Sequence, residues 1–288
     1  MPIEIAAHAG FCMGVRRAVE SAVQVADSGV PSCTLGELIH NPTVVDMLRQ
    51  RGIPPVASAE EAAGRQVLIR SHGGAPEVIR QLEKAGCKVV DLTCPFVNKL
   101  HRVVAEDTGE DCPLIMVGER EHPEVKGTCG WARGKVYVVA TAEEAAQLPE
   151  MDQAAAAVQT TFPPERWEAI AAVLRGRVQH LKEHNTICNA TAVRQREAKK
   201  LAAASDAMIV VGGRTSANTH KLFEACKALC PRTILVECAA EIPPAFANIH
   251  SDKIGITAGA STPDGSLEEV ATHMTDNENM AQYSDFTM

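Results

Sequence analysis

The sequence is poor in aromatic residues, and it lacks both long apolar runs and an excess of positive charge. Aromatic residues make up 3% of the 288 residues, whereas hydrophobic residues as a whole make up 45%. We therefore expect small aliphatic side chains to fill a large core. A membrane-spanning helix typically needs about 18 consecutive apolar residues, and no apolar run in the sequence is that long. The formal net charge of −8 argues against a nucleic-acid-binding surface, because binding to the phosphate backbone depends on clustered Lys and Arg.

The sequence also lacks a secretory leader and paired cysteines. The N-terminal segment MPIEIAAHAG has neither the basic segment nor the apolar stretch of a signal peptide. We therefore expect a cytoplasmic protein whose ten cysteines stay reduced. None of them forms the Cys-x2-Cys pair typical of structural zinc sites. Cys226 and Cys230 share one apolar helical face with Leu222, which favours core packing over metal binding.

Three other cysteines occupy the same kind of position, a turn from a predicted strand to a predicted helix. Cys94 follows the apolar run 88–92 and precedes Pro95, which suits the first position of a helix. Cys12 and Cys188 lie in similar turns, and successive cysteines of the three are 82 and 94 residues apart. A helix start favours a thiolate, the form that binds metal. The spacing predicts three repeated α/β units.

Polar residues recur in step with these cysteines. Each cysteine is followed 28 residues later by a polar residue, and these are His40, His122 and Ser216. A second polar turn follows in each unit, at residues 71–74, 159–161 and 258–262. If the units pack around a pseudo-threefold axis, three thiolates converge at its centre among polar groups. Three separate cysteines can hold an iron–sulfur cubane with one iron open, and the polar turns are suited to an anion.

The sequence resembles the 4-hydroxy-3-methylbut-2-enyl diphosphate reductase family, the iron–sulfur enzymes of the non-mevalonate isoprenoid pathway. The resemblance runs from Ile3 to about Met274, through the ordered motifs GFCMGV, HNPTVVDMLRQRGI, SHGG, DLTCPFVNKLH, EHPEVKGT, QTTF, GGRTSAN and TAGASTPD. It implies an α/β fold of three small lobes in a pseudo-threefold arrangement around a central iron–sulfur cluster. It also implies reductive dehydroxylation of a small allylic diphosphate to isopentenyl and dimethylallyl diphosphate. The electrons would come from an external one-electron donor such as ferredoxin or flavodoxin.

The resemblance implies roles for individual residues. The ligands of a 4Fe-4S cluster with one open iron would be Cys12, Cys94 and Cys188. The positions that match the family's diphosphate-binding residues are His40, His72, His122, Ser216, Ala217, Asn218 and Ser261. Thr160 matches a position near the substrate hydroxyl, and Glu124 matches the family's proton-relay carboxylate. Glu124, Thr160 and His122 therefore form the expected catalytic group.

One position departs from the family pattern. Ala217 stands where the family usually has the second serine of Ser-Ser-Asn. Its backbone N–H remains available to a phosphate. We therefore expect the lost hydroxyl to cost about 1 kcal/mol of substrate affinity, the value of a neutral hydrogen bond, and the function to be kept.

The repeat predicts lobes at residues 1–92, 93–186 and 187–274, with a last helix at 266–273. The acidic segment 275–288 has no periodicity and is expected to be mobile, either as a tail or as a truncated linker to an S1-type RNA-binding module beyond the C-terminus. Two other function classes stay open. A non-catalytic iron–sulfur redox sensor or scaffold would bind a cluster without binding a diphosphate. The second class is an RNA-associated module, and the negative net charge argues against it.

Overall fold

The structure is a computed structural model that describes residues 3–247 and 253–284. The strands, in chain order, are β1 (Ile3–Ile5), β2 (Ser32–Leu35), β3 (Pro55–Val56), β4 (Gln66–Ile69), β5 (Lys88–Asp91), β6 (Leu114–Val117), β7 (Val136–Val139), β8 (Met151–Val158), β9 (Val178–His184), β10 (Ala207–Val211), β11 (Thr233–Val236) and β12 (Ile254–Ala258). The helices are α1 (Met13–Asp27), α2 (Pro42–Gln50), α3 (Ala59–Ala62), α4 (Pro76–Lys84), α5 (Pro95–Asp107), α6 (Pro123–Cys129), α7 (Ala142–Ala146), α8 (Pro164–Arg175), α9 (Asn189–Ala203), α10 (Ala217–Lys227), α11 (Pro244–Ala247) and α12 (Asp264–Ser284).

The strands form three four-stranded sheets with the same internal order. The orders are β3-β2-β4-β5, β7-β6-β8-β9 and β11-β10-β12-β1, and all neighbouring strands are parallel. Parallel strands need crossover helices, and the helices between successive strands provide them. The predicted α/β class and the three lobes are therefore confirmed.

The first strand does not belong to the lobe in which the sequence analysis placed it. β1 pairs with β12, with Ile3 opposite Ile254 and Ile5 opposite Ile256. The predicted interval 1–92 is therefore corrected, since its sheet is β2 to β5 and β1 completes the sheet of residues 187–274. The physical reason is burial, because Ile3 packs against the apolar cluster that contains Ile254 and Ile256.

The C-terminal segment also differs from its prediction. Helix α12 does not end near residue 273 but continues to Ser284, and residues 285–288 lie outside the described part of the chain. No Gly or Pro occurs between residues 266 and 288, so the sequence contains no strong helix terminator there. Val270 and Met274, both fully buried, anchor the helix on the third sheet.

Contacts divide the chain into two compact units. The terminal unit comprises Met1–Met13, His40–Val44 and Ala190–Met288, and the central unit comprises Gly14–Ile39 and Val45–Asn189. The central unit contains the sheets β2 to β5 and β6 to β9, and the terminal unit contains the third sheet. In the central unit Trp167, Ile170 and Leu174 of α8 are buried against the second sheet, as their helical spacing predicts. Among the described residues, no helix has the length and apolar composition needed to cross a membrane.

Candidate active site

The three cysteines of the repeat lie at equivalent points of the structure. Cys12, Cys94 and Cys188 each immediately precede a helix, namely α1, α5 and α9. Among the described residues none of the three forms a disulfide, and all three are partly exposed. The cysteines in the lobe cores are buried instead, and these are Cys33, Cys87, Cys226 and Cys230. The predicted strand-to-helix positions are confirmed.

One backbone hydrogen bond recurs at all three cysteines. The N–H of Cys94 donates to the carbonyl of Ser71 at 3.0 Å, that of Cys188 to Thr160 at 2.8 Å, and that of Cys12 to Ala260 at 3.1 Å. The three acceptors lie in the polar turns after β4, β8 and β12, each of which is third in the strand order of its sheet as given above. Each sulfur-bearing turn is therefore fixed to a polar turn at the carboxyl end of a parallel sheet, where α/β proteins bind ligands.

Two further residues shape the cysteine turns. A Cβ added to Gly14 would lie 2.4 Å from the sulfur of Cys94, so glycine leaves the space that this sulfur occupies. In the terminal unit the buried Arg194 of α9 donates from Nη2 to the carbonyl of Gly10 at 2.8 Å, two residues before Cys12. The sequence analysis missed both roles, because the partners are far apart along the chain.

Glu124 and Thr160 are both buried in the central unit and are joined by two hydrogen bonds. The Glu124 carboxylate is 1% exposed, and Thr160 is 5% exposed. The backbone N–H of Thr160 donates to Oε1 of Glu124 at 2.6 Å, and the Thr160 hydroxyl donates to Oε2 at 2.8 Å. Since both carboxylate oxygens accept from one residue, the carboxylate cannot rotate freely and its contact with the hydroxyl is fixed.

Two predicted histidines lie together in the central unit. His122 is the N-cap of α6, and its Nδ1 accepts from the backbone N–H of Glu124 at 3.2 Å. In a neutral imidazole an accepting Nδ1 leaves the proton on Nε2, so His122 presents a hydrogen-bond donor on that side. The His72 ring meets the His122 ring edge to face, with centroids 5.4 Å apart.

An aromatic pair, the buried His101 and the partly buried Trp131, supports the turn that carries His72. His101 of α5 is 3% exposed and stacks on Trp131, with ring centroids 5.1 Å apart. A Cβ on Gly73 would lie 2.4 Å from Cε1 of His101, and Trp131 donates from Nε1 to the carbonyl of Gly74 at 3.1 Å. Burial lowers the pKa of His101 to about 4, although the charge of Asp91 opposes the shift. The sequence analysis did not find this support, since Trp131 lies in no motif.

The remaining predicted residues lie in the terminal unit. Ser216 is the N-cap of α10, and its hydroxyl accepts from the N–H of Thr219 at 3.3 Å. Asn218 is 9% exposed, and its Nδ2 has no hydrogen-bond partner among the described residues. Ala217 is the first residue of α10, Ser261 is buried in the turn after β12, and His40 lies two residues before α2. Cys12 belongs to this unit, whereas Cys94, Cys188, His72, His122, Glu124 and Thr160 belong to the central one.

Comparison with known proteins gives consistent matches over nearly the whole chain. The family model described as "LytB protein" matches residues 3–275. A protein of Citrifermentans bemidjiense named 4-hydroxy-3-methylbut-2-enyl diphosphate reductase is 44% identical over 272 residues, which cover 94% of this chain and 95% of that protein.

Two solved structures of such reductases are similar as well. The first is titled (E)-4-hydroxy-3-methyl-but-2-enyl diphosphate reductase, the terminal enzyme of the non-mevalonate pathway. It is 40% identical with a TM-score of 0.72, and the match covers 96% of this chain and 100% of that chain. The second, the E-1-hydroxy-2-methyl-but-2-enyl-4-diphosphate reductase of Plasmodium falciparum, is 25% identical with a TM-score of 0.88. The match covers 94% of this chain and 87% of that chain.

Proposed function

The chain belongs to the LytB protein family, and from that membership and the geometry above we propose the reaction that it catalyses. It is an iron–sulfur oxidoreductase that removes the hydroxyl group of 4-hydroxy-3-methylbut-2-enyl diphosphate reductively. The products are isopentenyl diphosphate and dimethylallyl diphosphate, so the enzyme performs the last step of the non-mevalonate pathway. The observation that carries the proposal is the buried Glu124 carboxylate, both of whose oxygens are held by Thr160. Removing a hydroxyl as water requires a proton donor that is fixed in such a way.

The cofactor is proposed to be a 4Fe-4S cluster with Cys12, Cys94 and Cys188 as its ligands and one iron open. Three features support the assignment: the equivalent positions before helices, the partly exposed thiols that form no disulfide among the described residues, and the space that Gly14 leaves beside the sulfur of Cys94. When bound, such a cluster supplies single electrons and a Lewis-acidic iron that makes a hydroxyl oxygen a better leaving group.

Glu124 and Thr160 are proposed to deliver the proton that leaves with the oxygen. In the structure the Thr160 hydroxyl donates to Oε2 of Glu124. When Glu124 is protonated this bond reverses, and the Thr160 hydroxyl can turn its own proton towards the substrate oxygen. The N–H of Thr160 keeps the other carboxylate oxygen in place during the exchange. Because both side chains are buried, bulk water does not compete for the proton.

Neutral donors are proposed to bind the diphosphate. They are His40, His72, His122, Ser216, Asn218, Ser261 and the backbone N–H of Ala217. The tautomer of His122 supports this role, since its Nδ1 accepts and its Nε2 is left to donate. The buried Nδ2 of Asn218 supports it as well, because a buried N–H without an acceptor is costly until a ligand supplies one. Neutral groups also avoid the cost of desolvating several cations together.

The electron source is proposed to be a small one-electron carrier such as ferredoxin or flavodoxin, since the reaction consumes two electrons and the chain binds a one-electron cofactor. The ten cysteines, none of which forms a disulfide in the described part of the chain, support a reducing compartment such as the cytoplasm. A redox sensor or scaffold is disfavoured, because the curated relatives described above are named as reductases.

The decisive test is anaerobic turnover of the hydroxylated diphosphate with a reduced viologen as donor. The wild type should form both isoprenoid products. Glu124→Gln keeps the shape of the side chain but holds no acidic proton, so we expect turnover to fall by about 10²- to 10⁴-fold with substrate binding retained. Thr160→Ser is the matched control, because it keeps the hydroxyl and should stay close to wild type.

The possible failures have different meanings. Normal turnover by Glu124→Gln would remove Glu124 from the proton path and leave the reductase assignment intact. A wild-type protein that carries its cluster but forms no product would overturn the reductase assignment itself and favour the sensor.

A further inference from the structure

A cavity lies in the central unit, and the proposed catalytic residues do not line it. It has a volume of about 480 Å³, which is within the usual range for small-molecule sites. Its walls come from the loops after β2, β3 and β4, from the start of α4 and from α6. The carboxyl ends of parallel strands thus face it, as they face ligands in α/β proteins generally. None of the predicted cluster ligands or diphosphate-binding residues lines this cavity.

The lining of the cavity combines an apolar wall with positive charge. Leu35, Ile69 and Val78 form much of the apolar wall. Arg70 and Lys126 also line the cavity, and Glu60 contributes the single acidic side chain, so the charge of the lining is positive.

The two cations are poorly neutralised by the protein itself. Burial lowers the pKa of the Arg70 guanidinium, and the charge of Glu37 opposes this only in part, so an anion beside Arg70 would stabilise it. Lys126 pairs with Glu121 at 2.6 Å, but both side chains are more than half exposed. Exposed ion pairs contribute little, so Lys126 can exchange this partner for a ligand.

The start of α4 adds a second attraction for an anion. Its N-cap residue, Ala75, lines the cavity and makes no side-chain capping bond, and Pro76 follows it. In the first turn of this nine-residue helix, Pro76 has no N–H and the N–H of Val78 donates to the carbonyl of Ala75 at 3.1 Å. The N–H of Glu77 is therefore the group that remains for a ligand at the positive end of the helix dipole. The arrangement resembles helix starts that bind phosphate groups.

We propose that this cavity binds an organic phosphate with an apolar tail. The phosphate lies between Arg70, Lys126 and the start of α4, and the tail lies against Leu35, Ile69 and Val78.

Occupancy of the cavity would affect the proposed diphosphate site. Gly73 and Gly74 form part of the cavity wall and directly follow His72. Pro123 and Gly127 form another part and belong to α6, the helix that His122 caps and that contains Glu124. A ligand in the cavity therefore touches both segments that carry the central-unit part of the site.

The test is equilibrium dialysis on the cluster-loaded protein with saturating substrate and no reductant, so that the active site is filled and nothing is consumed. Geranyl diphosphate is the probe with a tail, and inorganic pyrophosphate is the probe without one. We expect one geranyl diphosphate per chain, and binding of pyrophosphate that is weaker by roughly tenfold or more, because the tail buries apolar surface.

Variants locate the binding. Arg70→Gln combined with Lys126→Gln should weaken geranyl diphosphate by about tenfold or more. Val78→Gln should weaken the probe with the tail and leave pyrophosphate unchanged. Arg102→Gln removes a cation that does not line the cavity, and it should change nothing. Circular dichroism would verify that each variant is folded.

Three results would overturn the proposal. The first is that the substrate-saturated wild type binds neither geranyl diphosphate nor pyrophosphate. The second is that the double variant binds geranyl diphosphate as tightly as the wild type does. The third is that pyrophosphate binds the wild type as tightly as geranyl diphosphate does. None of these results depends on turnover, so the proposed reductase function stands or falls separately.

Discussion

At the scale of single residues, surroundings distinguish one thiol from another. Burial raises the pKa of Cys33, and it raises the pKa of Cys226 to about 12, so both remain protonated packing residues. Cys12, Cys94 and Cys188 are instead partly exposed and lie directly before helices. A cysteine is therefore suited to metal binding by its position relative to a helix start, and the residue type alone does not indicate it.

Gly14 provides a test of the cluster assignment at this scale. Alanine normally stabilises a helix relative to glycine by about 0.5–1 kcal/mol. In Gly14→Ala, however, the new carbon would lie 2.4 Å from the sulfur of Cys94 and would displace it. We expect a folded protein with much less bound iron and sulfide, measured chemically and by the visible absorbance of the cluster. Gly265→Ala, where no atom lies within 4 Å, is the control and should keep its iron. Full iron content in Gly14→Ala would contradict the assignment of Cys94.

His101 makes the stability of the fold depend on pH. Its pKa falls from 6.5 to about 4 on folding, because burial disfavours the charged ring. Between these values the unfolded chain binds a proton that the folded chain does not, so this contribution is complete above about pH 6.5 and is lost as the pH falls towards 4. The loss amounts to about 3 kcal/mol at most.

The variant His101→Phe measures this contribution. It keeps an aromatic ring against Trp131 and removes the titrating group. Urea unfolding at several pH values should therefore show a smaller loss of stability between pH 6.5 and 4 than in the wild type. Equal losses in the two proteins would show that His101 titrates normally.

At the scale of elements, predicted diphosphate ligands lie at the starts of three helices, where side chains also cap the helix. Helices α6 and α10 begin directly after a predicted diphosphate ligand, and their N-cap atoms come from His122 and Ser216. Helix α2 begins two residues after His40, and Asn41 accepts from the N–H of Val44 at 3.2 Å. The three helices therefore begin in a similar way, whereas the predicted ligand at the start differs and is histidine before α2 and α6 and serine before α10.

Substitutions of His122 can separate its capping of α6 from its proposed binding of the diphosphate. His122→Asn keeps a residue that caps helices well, whereas His122→Ala does not. Both variants should raise the KM for the diphosphate substrate, because both lose the imidazole. Only the alanine variant should also lose about 1 kcal/mol of stability in urea unfolding. Equal stability of the two variants would mean that the Nδ1 contact with the Glu124 N–H does not act as a cap.

At the scale of the whole molecule, the three sheets share one strand order, and the third is completed by the first strand of the chain. Each lobe contains its own apolar core, so the fold does not depend on cross-links. None of the ten cysteines, all of which lie in the described part of the chain, forms a disulfide.

The absence of cross-links is directly measurable. Protein prepared anaerobically and stripped of metal should give ten titratable thiols after denaturation without reductant. Its unfolding curve should be the same with and without dithiothreitol, because a disulfide would stabilise the fold by typically 2–4 kcal/mol. Fewer than ten titratable thiols, or an unfolding curve that shifts when reductant is added, would contradict this prediction by showing a disulfide.

The sequence by itself determined the repeat, the helix starts at Cys12, Cys94 and Cys188, and the polar turns in step with them. These features depend on the order of nearby residues, such as an apolar strand, a cysteine and a helical pattern, which the chain displays locally. Ordered motifs added the family and the proposed roles, including that of Glu124. The sequence analysis ended the last helix at residue 273 and missed its continuation to Ser284, because the segment beyond is polar and without periodicity, although no residue there ends a helix.

Only the tertiary structure decided which distant residues meet. It placed β1 beside β12, joined Thr160 to Glu124, stacked Trp131 on His101 and held the Cys12 turn with Arg194. Such contacts join residues that are tens to hundreds of positions apart. They are selected by burial and by hydrogen bonding in the assembled fold, and no local pattern records them.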